Sequence, residues 1–501
     1  MKAHILSNVN LFEAFRASAC THAAKTAMFW GDDLWSYERL WQAAAGLAVE
    51  LRQLEPGPPG KRIGLWMKNC PEFAAGLFGI FGAGHVAVPI NNFLKPGEVG
   101  QILEDAEIDL LLCDDSTLEA RAALLEIRPN LRFLDLQSHP FSSSGGDQFA
   151  QVSTASEELA ILIYSSGTTG RPKGIMLSHG NLLHNVESCR IMLQAVDMDR
   201  FVALLPMFHS FMLTVSVLLP LLIGGSLVIL RSLHQPKAVI AEIIRRQATI
   251  LPSIPQFFRG LCHPSIPRDL PLRICISGGA PLPAEILKDF TQNFPIPLIE
   301  GYGLSEASPV VCFNPLLGPW KAGSIGVPIP NVEVSVQNDA GEILADGTTG
   351  EICVRGGNVM LGYWRNPAET ALAMRQGWLL TGDIGHRDAD GYFYITDRRK
   401  DMLLVNGINV FPREIEEVIY RFPGVREAAV VGFPDARRGE QPVAFVSAAE
   451  GHTLDLDRLT EFVRESVADY KAPRHFKVLP ALPRNSTGKV MKTVLRQQSL
   501  T

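Results

Sequence analysis

Apolar segments of strand length alternate with apolar segments of helix length through the first third of the chain. Residues 62–67 and 87–90 have the composition of short buried strands, and residues 73–84 between them predict an apolar helix. A helix over 98–106 and a strand over 109–113 continue the alternation. Strands and helices that alternate at this spacing predict a largely parallel sheet with helices on its faces.

The longest uncharged stretch is residues 201–230, which contains no Asp, Glu, Lys or Arg. It is long enough to span a bilayer, but Pro206, Pro220 and the pair Gly224-Gly225 interrupt it. We therefore predict a buried helix followed by a strand over 226–230. Membrane contact is expected to be peripheral at most, since apolar substrates often lie at a membrane surface.

The pattern changes after residue 323 to short β segments separated by turns, and it continues so to residue 397. The pair Asp390-Gly391 is a good hairpin signal within this region. Strands over 425–431 and 442–447 and a helix over 456–467 follow. They predict a small α+β unit at the end of the chain.

Composition and charge narrow the class of protein. The 501 residues carry a net charge of −6 with both signs interspersed, which argues against a nucleic-acid partner. The eight cysteines are scattered and include no C-x-x-C pair, so reduced thiols in a cytoplasmic protein are the simplest account. The first residues show neither the apolar segment nor the cleavage site of a secretory signal peptide, and we expect a cytoplasmic location.

The segment after the apolar run 159–164 has the composition of a phosphate cradle. Glycines let backbone amides crowd around an anion, hydroxyls add hydrogen-bond donors, and Lys173 adds a positive charge. The spacing between the glycines and Lys173 is not that of a Walker A loop. A flexible surface turn is the alternative. The candidate phosphate-binding residues are Ser165, Ser166, Gly167, Thr168, Thr169, Gly170 and Lys173.

Two later strands also end in small residues. Ligands of parallel sheets bind beyond the carboxyl ends of the strands, so Gly278, Gly279 and Ala280 after a strand over 272–279 are a plausible adenine wall, although a strand-ending turn explains them almost equally well. The segment 298–309 reads as a strand that ends in a Gly-rich loop. It offers a flat ring, a hydroxyl and a hard oxygen ligand suited to Mg²⁺. The residues concerned are Gly301, Tyr302, Gly303, Ser305 and Glu306.

Residues 164–174, except Arg171, resemble the phosphate-loop signature of the acyl-adenylate-forming (AMP-binding) enzyme superfamily. That superfamily includes acyl-CoA synthetases, the adenylation domains of peptide synthetases and luciferases. Segment 298–309 is most similar to fatty-acyl-CoA synthetases. Three further motifs of the superfamily follow in its order, at 381–383, 397–401 and 483–489, so the resemblance covers essentially the whole chain.

The resemblance implies an α/β fold. It consists of a large N-terminal domain, built of parallel-rich sheets with helices plus a distorted β-barrel, and a small mobile α+β C-terminal domain. The implied bounds are 1–399, for the domain that holds ATP and the acyl group, and 400–501, with the hinge at Lys400. The C-terminal domain would swing about this hinge between the two steps of the reaction.

The resemblance also implies roles for single residues. Asp383 would hold the ribose hydroxyls, Arg398 would contact the nucleotide, and Glu306 would bind Mg²⁺. Lys489 matches the catalytic lysine, and Gly407 lies in a tight turn of the small domain. His209 would lie between nucleotide and acyl pocket, with an ordinary core histidine as the alternative. The implied catalytic set is Lys489, Glu306, His209 and Lys400.

The implied reaction uses ATP, Mg²⁺ and CoA to convert a carboxylic acid into acyl-AMP and then into acyl-CoA. The expected pocket residues include no charged partner for an amino group, which favours a medium- or long-chain fatty acid: Phe211, Met212, Leu213, Phe257 and Leu304. An aryl acid, and an acyl-carrier protein as thiol acceptor, stay open as alternatives. So does a silent ATP-binding scaffold, although the phosphate loop, the metal carboxylate and the terminal lysine are all present.

Overall fold

The computed structural model describes residues 9–141, 152, 154–165, 172–230, 236–435, 437–485 and 489–498. Fifteen helices lie in this part of the chain, numbered in chain order: α1 (Leu11–Thr21), α2 (Tyr37–Leu54), α3 (Pro71–Gly82), α4 (Pro96–Asp105), α5 (Leu118–Ile127), α6 (His179–Met192), α7 (Ser210–Met212), α8 (Leu219–Ile223), α9 (Pro236–Arg245), α10 (Pro255–Leu261), α11 (Ala284–Asn293), α12 (Pro367–Ala373), α13 (Pro412–Tyr420), α14 (Leu456–Ser466) and α15 (Lys492–Arg496).

Strands of the same described ranges are numbered in the same way: β1 (Thr26–Trp30), β2 (Asp33–Ser36), β3 (Arg62–Trp66), β4 (Val86–Pro89), β5 (Leu110–Cys113), β6 (Arg132–Asp135), β7 (Leu159–Ser165), β8 (Lys173–Ser178), β9 (Arg200–Ala203), β10 (Ser226–Ile229), β11 (Ile250–Ser253), β12 (Ile274–Ser277), β13 (Leu298–Gly303), β14 (Val310–Phe313), β15 (Ser324–Pro328), β16 (Val332–Gln337), β17 (Gly350–Gly356), β18 (Gly362–Tyr363), β19 (Met374–Arg375), β20 (Trp378–Arg387), β21 (Phe393–Arg398), β22 (Leu403–Val405), β23 (Ile408–Val410), β24 (Val425–Asp435), β25 (Gly439–Ala448) and β26 (His475–Val478).

Helix starts follow from local sequence. The Asn10 side chain accepts from the backbone of Glu13, and the Glu13 carboxylate accepts from the backbone of Asn10, which satisfies two free amides at the start of α1. Ser178 and Asn181 make the same reciprocal pair at the start of α6. The Ser178 cap begins α6 directly after β8, beside the candidate phosphate loop.

The first sheet has the strand order β18-β8-β7-β4-β3-β5-β6. Its strands β3 to β7 are parallel to their neighbours within that group, and β8 returns antiparallel to β7. Apolar side chains cover both faces, as parallel sheets require. The predicted alternation of strands and helices over 62–113 is confirmed.

The second sheet has the order β16-β17-β20-β21-β15-β14-β13-β12-β11-β9-β10-β1-β2, with β19 paired to β20. Strands β9 to β13 run parallel, and the pairing becomes antiparallel from β13 to β14 onward. The change occurs along β13, which continues through Gly303. A short turn, Ser305–Ala307, follows.

The uncharged stretch forms the predicted buried helix and strand. α7, a wider turn of Leu213–Leu218 and α8 run on from one another, and β10 follows. Gly224 ends α8 at φ 84°, a conformation that favours glycine. None of the helices among the described residues is long and apolar enough to cross a membrane.

The region predicted to hold only β segments contains one helix, α12. Asn366 caps it and Pro367 occupies its first turn, so a local signal was present and was missed. Gly391, at φ 86°, forms the predicted turn between β20 and β21. The strand pairings of the described residues do not close this region, so the barrel stays a prediction.

A third sheet forms the small unit near the end of the chain. Its order is β23-β22-β25-β24, with β26 beside β25, and α13 and α14 pack on it. The unit has its own core, which includes Val405, Ile415, Val430 and Leu459. The fold is thus α/β with a large N-terminal and a small α+β C-terminal domain, while the boundary at 399/400 stays a prediction.

Candidate active site

The hairpin of β7 and β8 carries the predicted phosphate loop. Ser165, the last residue of β7, is the register partner of Lys173, the first residue of β8. The Lys173 ammonium forms an ion pair with Glu369 in α12 and lies 5.5 Å from the centre of the Tyr363 ring. The other loop residues lie outside the described ranges: Ser166, Gly167, Thr168, Thr169 and Gly170. Their role stays a prediction.

Tyr363 connects this hairpin to the candidate metal ligand. It lies in β18, where Ile175 of β8 is its register partner, and its hydroxyl donates to Oε1 of Glu306 at 3.0 Å. Burial and the neighbouring Glu306 carboxylate raise the pKa of Tyr363 above its usual value. The tyrosine therefore stays protonated and acts as a hydrogen-bond donor to Glu306.

Ser305 lies beside the start of helix α7. Its hydroxyl is 2.9 Å from the hydroxyl of Ser210, the first residue of α7. His209 precedes that helix, and its Nδ1 accepts from the backbone of Phe211 at 3.4 Å. Burial, and then the charge of Lys489, lower the pKa of His209 to about 4, so this imidazole is neutral at physiological pH.

The candidate adenine wall follows β12 as predicted. Gly278 donates from its backbone to the Ser253 carbonyl at 3.0 Å, and Gly279 has φ 77°, which favours glycine. Ala280 continues this turn and is half-buried. On β13, a side chain at Gly303 would overlap the Pro309 carbonyl, and one at Gly301 would overlap a phenylalanine ring. Both glycines of β13 are therefore required by close packing.

Tyr302, Asp383 and Arg398 form one group, joined by a hydrogen bond and an ion pair. The Tyr302 hydroxyl donates to Oδ2 of Asp383 at 2.5 Å, and Nε of Arg398 lies 3.1 Å from Oδ1. Asp383 on β20 and Arg398 on β21 are register partners, so sheet pairing itself places the two side chains together. The carboxylate is buried, and each of its oxygens already has a partner.

Lys489 reaches this group from the small domain. Its backbone exchanges two hydrogen bonds with Asn485, each 2.9 Å long. Burial, and then the charge of Arg398, lower the pKa of Lys489 to about 7, against an opposing effect of Asp383. Because Lys489 also affects His209, one ammonium lies within electrostatic reach of the candidate ribose and acyl sides. The structure thus brings together side chains of five separate motifs.

A small cavity of about 10 Å³, with room for about one water, opens beside His209. Its lining is mostly apolar: Leu205, Pro206, His209, Phe211, Ile254 and Gly279. The Phe211 ring covers Gly278, where a Cβ would lie 3.0 Å from it. Met212 and Leu213 are fully buried in the main core, whereas Phe257 and Leu304 are half-buried.

Lys400 and Gly407 both lie in turns. Lys400 follows β21 and is exposed, and Gly407, at φ 77°, forms the exposed turn between β22 and β23. Lys400 is within electrostatic reach of Lys489. The roles of both residues stay predictions.

The residues present fit a magnesium ion that is shared with a nucleotide. Glu306 is half-buried and supplies a hard carboxylate, of which Tyr363 engages one oxygen. No group of three or more His, Cys, Asp or Glu side chains in the described ranges could hold a metal ion by itself. Mg²⁺ is commonly bound by one or two carboxylates together with substrate phosphates, which agrees with this donor set.

The comparison with protein families agrees with the nucleotide site that the geometry indicates. The family described as AMP-binding enzyme matches residues 15–364, and the AMP-binding enzyme C-terminal domain matches residues 414–489. The chain belongs to the AMP-binding enzyme family. The resemblance predicted from its motifs is confirmed.

Curated relatives of this AMP-binding enzyme match along nearly their whole length. A long-chain-fatty-acid–CoA ligase of Bacillus subtilis (strain 168) is 33% identical over 98% of this chain and 95% of its own. A feruloyl-CoA synthase of Amycolatopsis sp is 34% identical over 96% of this chain and 97% of its own.

Solved structures share the fold of both domains. ATP-bound MatB from Rhodopseudomonas palustris has a TM-score of 0.90 and 31% identity, and the match covers 98% of each chain. The anthranilate CoA ligase AuaEII, in complex with anthranoyl-AMP, has a TM-score of 0.91 and 28% identity over 99% of this chain and 98% of its own. The α/β prediction with large and small domains is confirmed.

Proposed function

We propose that this AMP-binding enzyme joins a carboxylic acid to CoA in two half-reactions on one site. The carboxylate attacks the α-phosphorus of ATP and expels pyrophosphate, which gives an acyl-adenylate. The thiol of CoA then attacks the acyl carbon and expels AMP. The observation that carries the proposal is Lys489, which lies within electrostatic reach of both Arg398 and His209. Relatives named as CoA ligases support the same reaction.

The nucleotide would lie between the two Gly-rich strand ends. The backbone of 278–280 would face the adenine, and Asp383 would accept hydrogen bonds from the ribose hydroxyls, with Arg398 beside them. Lys173 and Ser305 would hold the phosphates that leave as pyrophosphate. Magnesium bound by Glu306 would neutralise charge on those phosphates.

Lys489 would bring two anions together. Its ammonium would hydrogen-bond the attacking carboxylate and the α-phosphate, whose mutual repulsion otherwise opposes the reaction. The neutral His209 would separate nucleotide from acyl group without adding charge. Phosphoryl-type transfer requires positioning and charge neutralisation more than covalent chemistry, and these residues supply both.

The small domain, which we place at 400–501, would turn about Lys400 between the half-reactions. The turn would withdraw Lys489 from the adenylate and admit the thiol. Gly407, exposed in the present arrangement, would approach the site in the other one. Residues of both domains would therefore form the site in each arrangement.

An apolar acid, preferably a medium- or long-chain fatty acid, is the proposed substrate. The cavity beside His209 is lined by apolar side chains, and none of its lining residues is charged. Because the cavity holds only about one water, a long chain requires the Phe211 ring to move off Gly278. An aryl acid is the second candidate, which the feruloyl-CoA synthase relative favours.

The test is an assay of the purified protein with ATP, Mg²⁺ and CoA across C4 to C18 acids, benzoate, 4-coumarate and several amino acids. AMP, pyrophosphate and thioester are measured separately, with Lys489→Ala as the control. We expect acid-dependent AMP with an equal amount of acyl-CoA. Adenylation without acyl-CoA would indicate that the thiol acceptor is a carrier protein instead of CoA. No adenylation with any acid would contradict the proposal and favour a silent ATP-binding scaffold.

A further inference from the structure

Helix α10 contacts both the acyl cavity and the small domain. Ile254, which precedes it, lines the cavity together with His209. Phe258 is fully buried against Phe290 of α11, which anchors the helix in the large domain. The half-buried Arg259 side chain extends to the small domain. One short helix therefore lies between the place for the acyl group and the domain that carries Lys489.

The Arg259 guanidinium makes two contacts across the domain boundary. It donates to the backbone carbonyl of Arg426 on β24, 167 residues further along the chain. It also lies 5.7 Å from the centre of the Tyr420 ring at the end of α13, a cation–π distance. Both contacts exist only while the small domain has its present orientation, because they join residues of different domains.

Gln256, one turn earlier on the same helix, contacts Arg484, which precedes Lys489 in the small domain. With its amide oxygen assigned towards Arg484, it accepts from Nη2 at 3.0 Å. Arg484 also forms an ion pair with Glu427 of β24, with 2.7 Å between Nη2 and Oε1. The backbones of Arg484 and Val490 pair as an isolated antiparallel β-bridge. The α10 contact is therefore connected, through Arg484, to the residue next to Lys489.

We propose that Gln256 and Arg259, on the helix that follows the acyl cavity, are positioning residues that hold Lys489 over the site. This rests on the proposed function and adds a route by which the acyl group and the lysine are coupled. An acid that fits the cavity leaves α10 in the place that docks Lys489. An acid that displaces Ile254 moves the same helix and weakens that docking.

The test separates the two half-reactions in Arg259→Ala. Loss of a hydrogen bond from a charged group should lower kcat of adenylation about tenfold. The KM values for acid and ATP should stay within about twofold, because neither contact of Arg259 is with a substrate. Thioester formation from supplied acyl-adenylate should be unchanged or faster. Arg259→Lys should recover part of the rate, since the charge remains.

Arg268→Ala is the matched control. Its guanidinium also donates to backbone carbonyls, of Leu261 and Cys262, and lies 5.1 Å from the Phe294 ring centre, but all these partners belong to the large domain. Adenylation by this variant should equal that of the unchanged protein. Thermal unfolding of each variant checks that lost activity does not reflect lost folding.

A double-mutant cycle with Tyr420→Leu completes the test. If Arg259 acts through the small domain, the double variant should adenylate no more slowly than Arg259→Ala alone. Additive losses, or equal losses in both half-reactions, would overturn the inference. So would unchanged adenylation by Arg259→Ala in a preparation whose unchanged protein makes acyl-adenylate. If the unchanged protein makes none, the proposed function itself fails, which is a different result.

Discussion

The ribose and phosphate ends of the candidate nucleotide site differ in how their charges are held. At the ribose end, Tyr302 and Arg398 both engage the buried carboxylate of Asp383. At the phosphate end, the Lys173 ammonium is paired with Glu369, whose side chain is 36% exposed. In the proposed site, the ribose end would keep its partners when a nucleotide binds, whereas Lys173 would exchange a carboxylate for a phosphate.

This difference separates two ways of preparing a site. A buried, fully hydrogen-bonded group is ordered before the ligand arrives, and breaking it leaves a charge or donor without its partner. A partly exposed ion pair is weak in water and is readily exchanged. We therefore expect substitutions at the ribose end to cost far more than substitutions at the phosphate-end ion pair.

Lys489→Ala should have the largest effect, because this cation joins the ribose-end group from the small domain. Loss of one preorganised charge should lower the adenylation rate by about 10²–10³-fold. Thioester formation from supplied acyl-adenylate should be largely spared, as measured by acyl-CoA release. Equal damage to both half-reactions would show that the lysine does not leave the site between them.

The same residue has a pH signature. Burial and the charge of Arg398 lower the pKa of Lys489 from 10.5 to about 7. In the enzyme without ATP, this lysine is therefore largely neutral at pH near 8. The negative charge of ATP should raise that pKa, so ATP binding should take up a proton. Calorimetry in buffers of different ionisation enthalpy measures the uptake. Lys489→Ala should abolish it, and uptake that persists in the variant would assign it to another group.

The free energy of unfolding should depend on pH through the same lysine. Between pH 7 and 10.5 the unfolded chain binds a proton at Lys489 that the folded chain does not, so this lysine makes the free energy of unfolding rise with pH in that window. The stability difference between the unchanged protein and Lys489→Ala should therefore change across this window and stay constant below it.

Asp383→Asn tests the ribose end directly. The carboxamide replaces one acceptor oxygen by an NH₂ group, so it cannot accept from Tyr302, Arg398 and both ribose hydroxyls together. We expect the KM for ATP to rise about 30-fold, which corresponds to about 2 kcal/mol. Asp388→Asn is the control, since Asp388 is an ion-paired carboxylate of the same region, bound to Lys321. An equal effect of both substitutions would remove Asp383 from the ribose site.

Tyr363→Phe should have an intermediate effect at the phosphate end. It removes the hydroxyl that donates to Glu306 and keeps the ring beside Lys173. Mg²⁺-dependent nucleotide affinity, measured by equilibrium binding, should fall about fivefold to tenfold, since a hydrogen bond to a charged group is lost. Affinity measured without Mg²⁺ should stay the same. Tyr394→Phe, which loses a hydroxyl bonded to Asp388, is the matched control.

Glu369→Gln should have the smallest effect, and in the opposite direction. The variant releases Lys173 from its ion pair, so ATP should bind about twofold to threefold more tightly. Glu333→Gln, which breaks the exposed pair with Arg355, should leave ATP affinity unchanged. Weaker binding by Glu369→Gln would mean that Glu369 orients Lys173 instead of competing for it, and the contrast between the two ends would disappear.

Local features of this protein could be predicted from its amino-acid sequence alone. Strand and helix lengths over 62–113 could be predicted because apolar periodicity reports burial of contiguous residues. The glycines, Glu306, Asp383 and Lys489 were found because each lies in a short motif whose order along the chain resembles that of the family. The helix α12 was missed although Asn366 and Pro367 mark its start, because the β pattern around it was extended across it.

Contacts between residues far apart in the chain became known only from the three-dimensional fold. Tyr302 and Asp383 are 81 residues apart, and Lys173 and Glu369 are 196 apart. Such pairs depend on strand order and on domain orientation, and local periodicity contains neither. Tyr363 and Arg259 had no signal in their own neighbourhoods for the same reason. The roles proposed for them depend on β18 pairing with β8 and on α10 lying against the small domain.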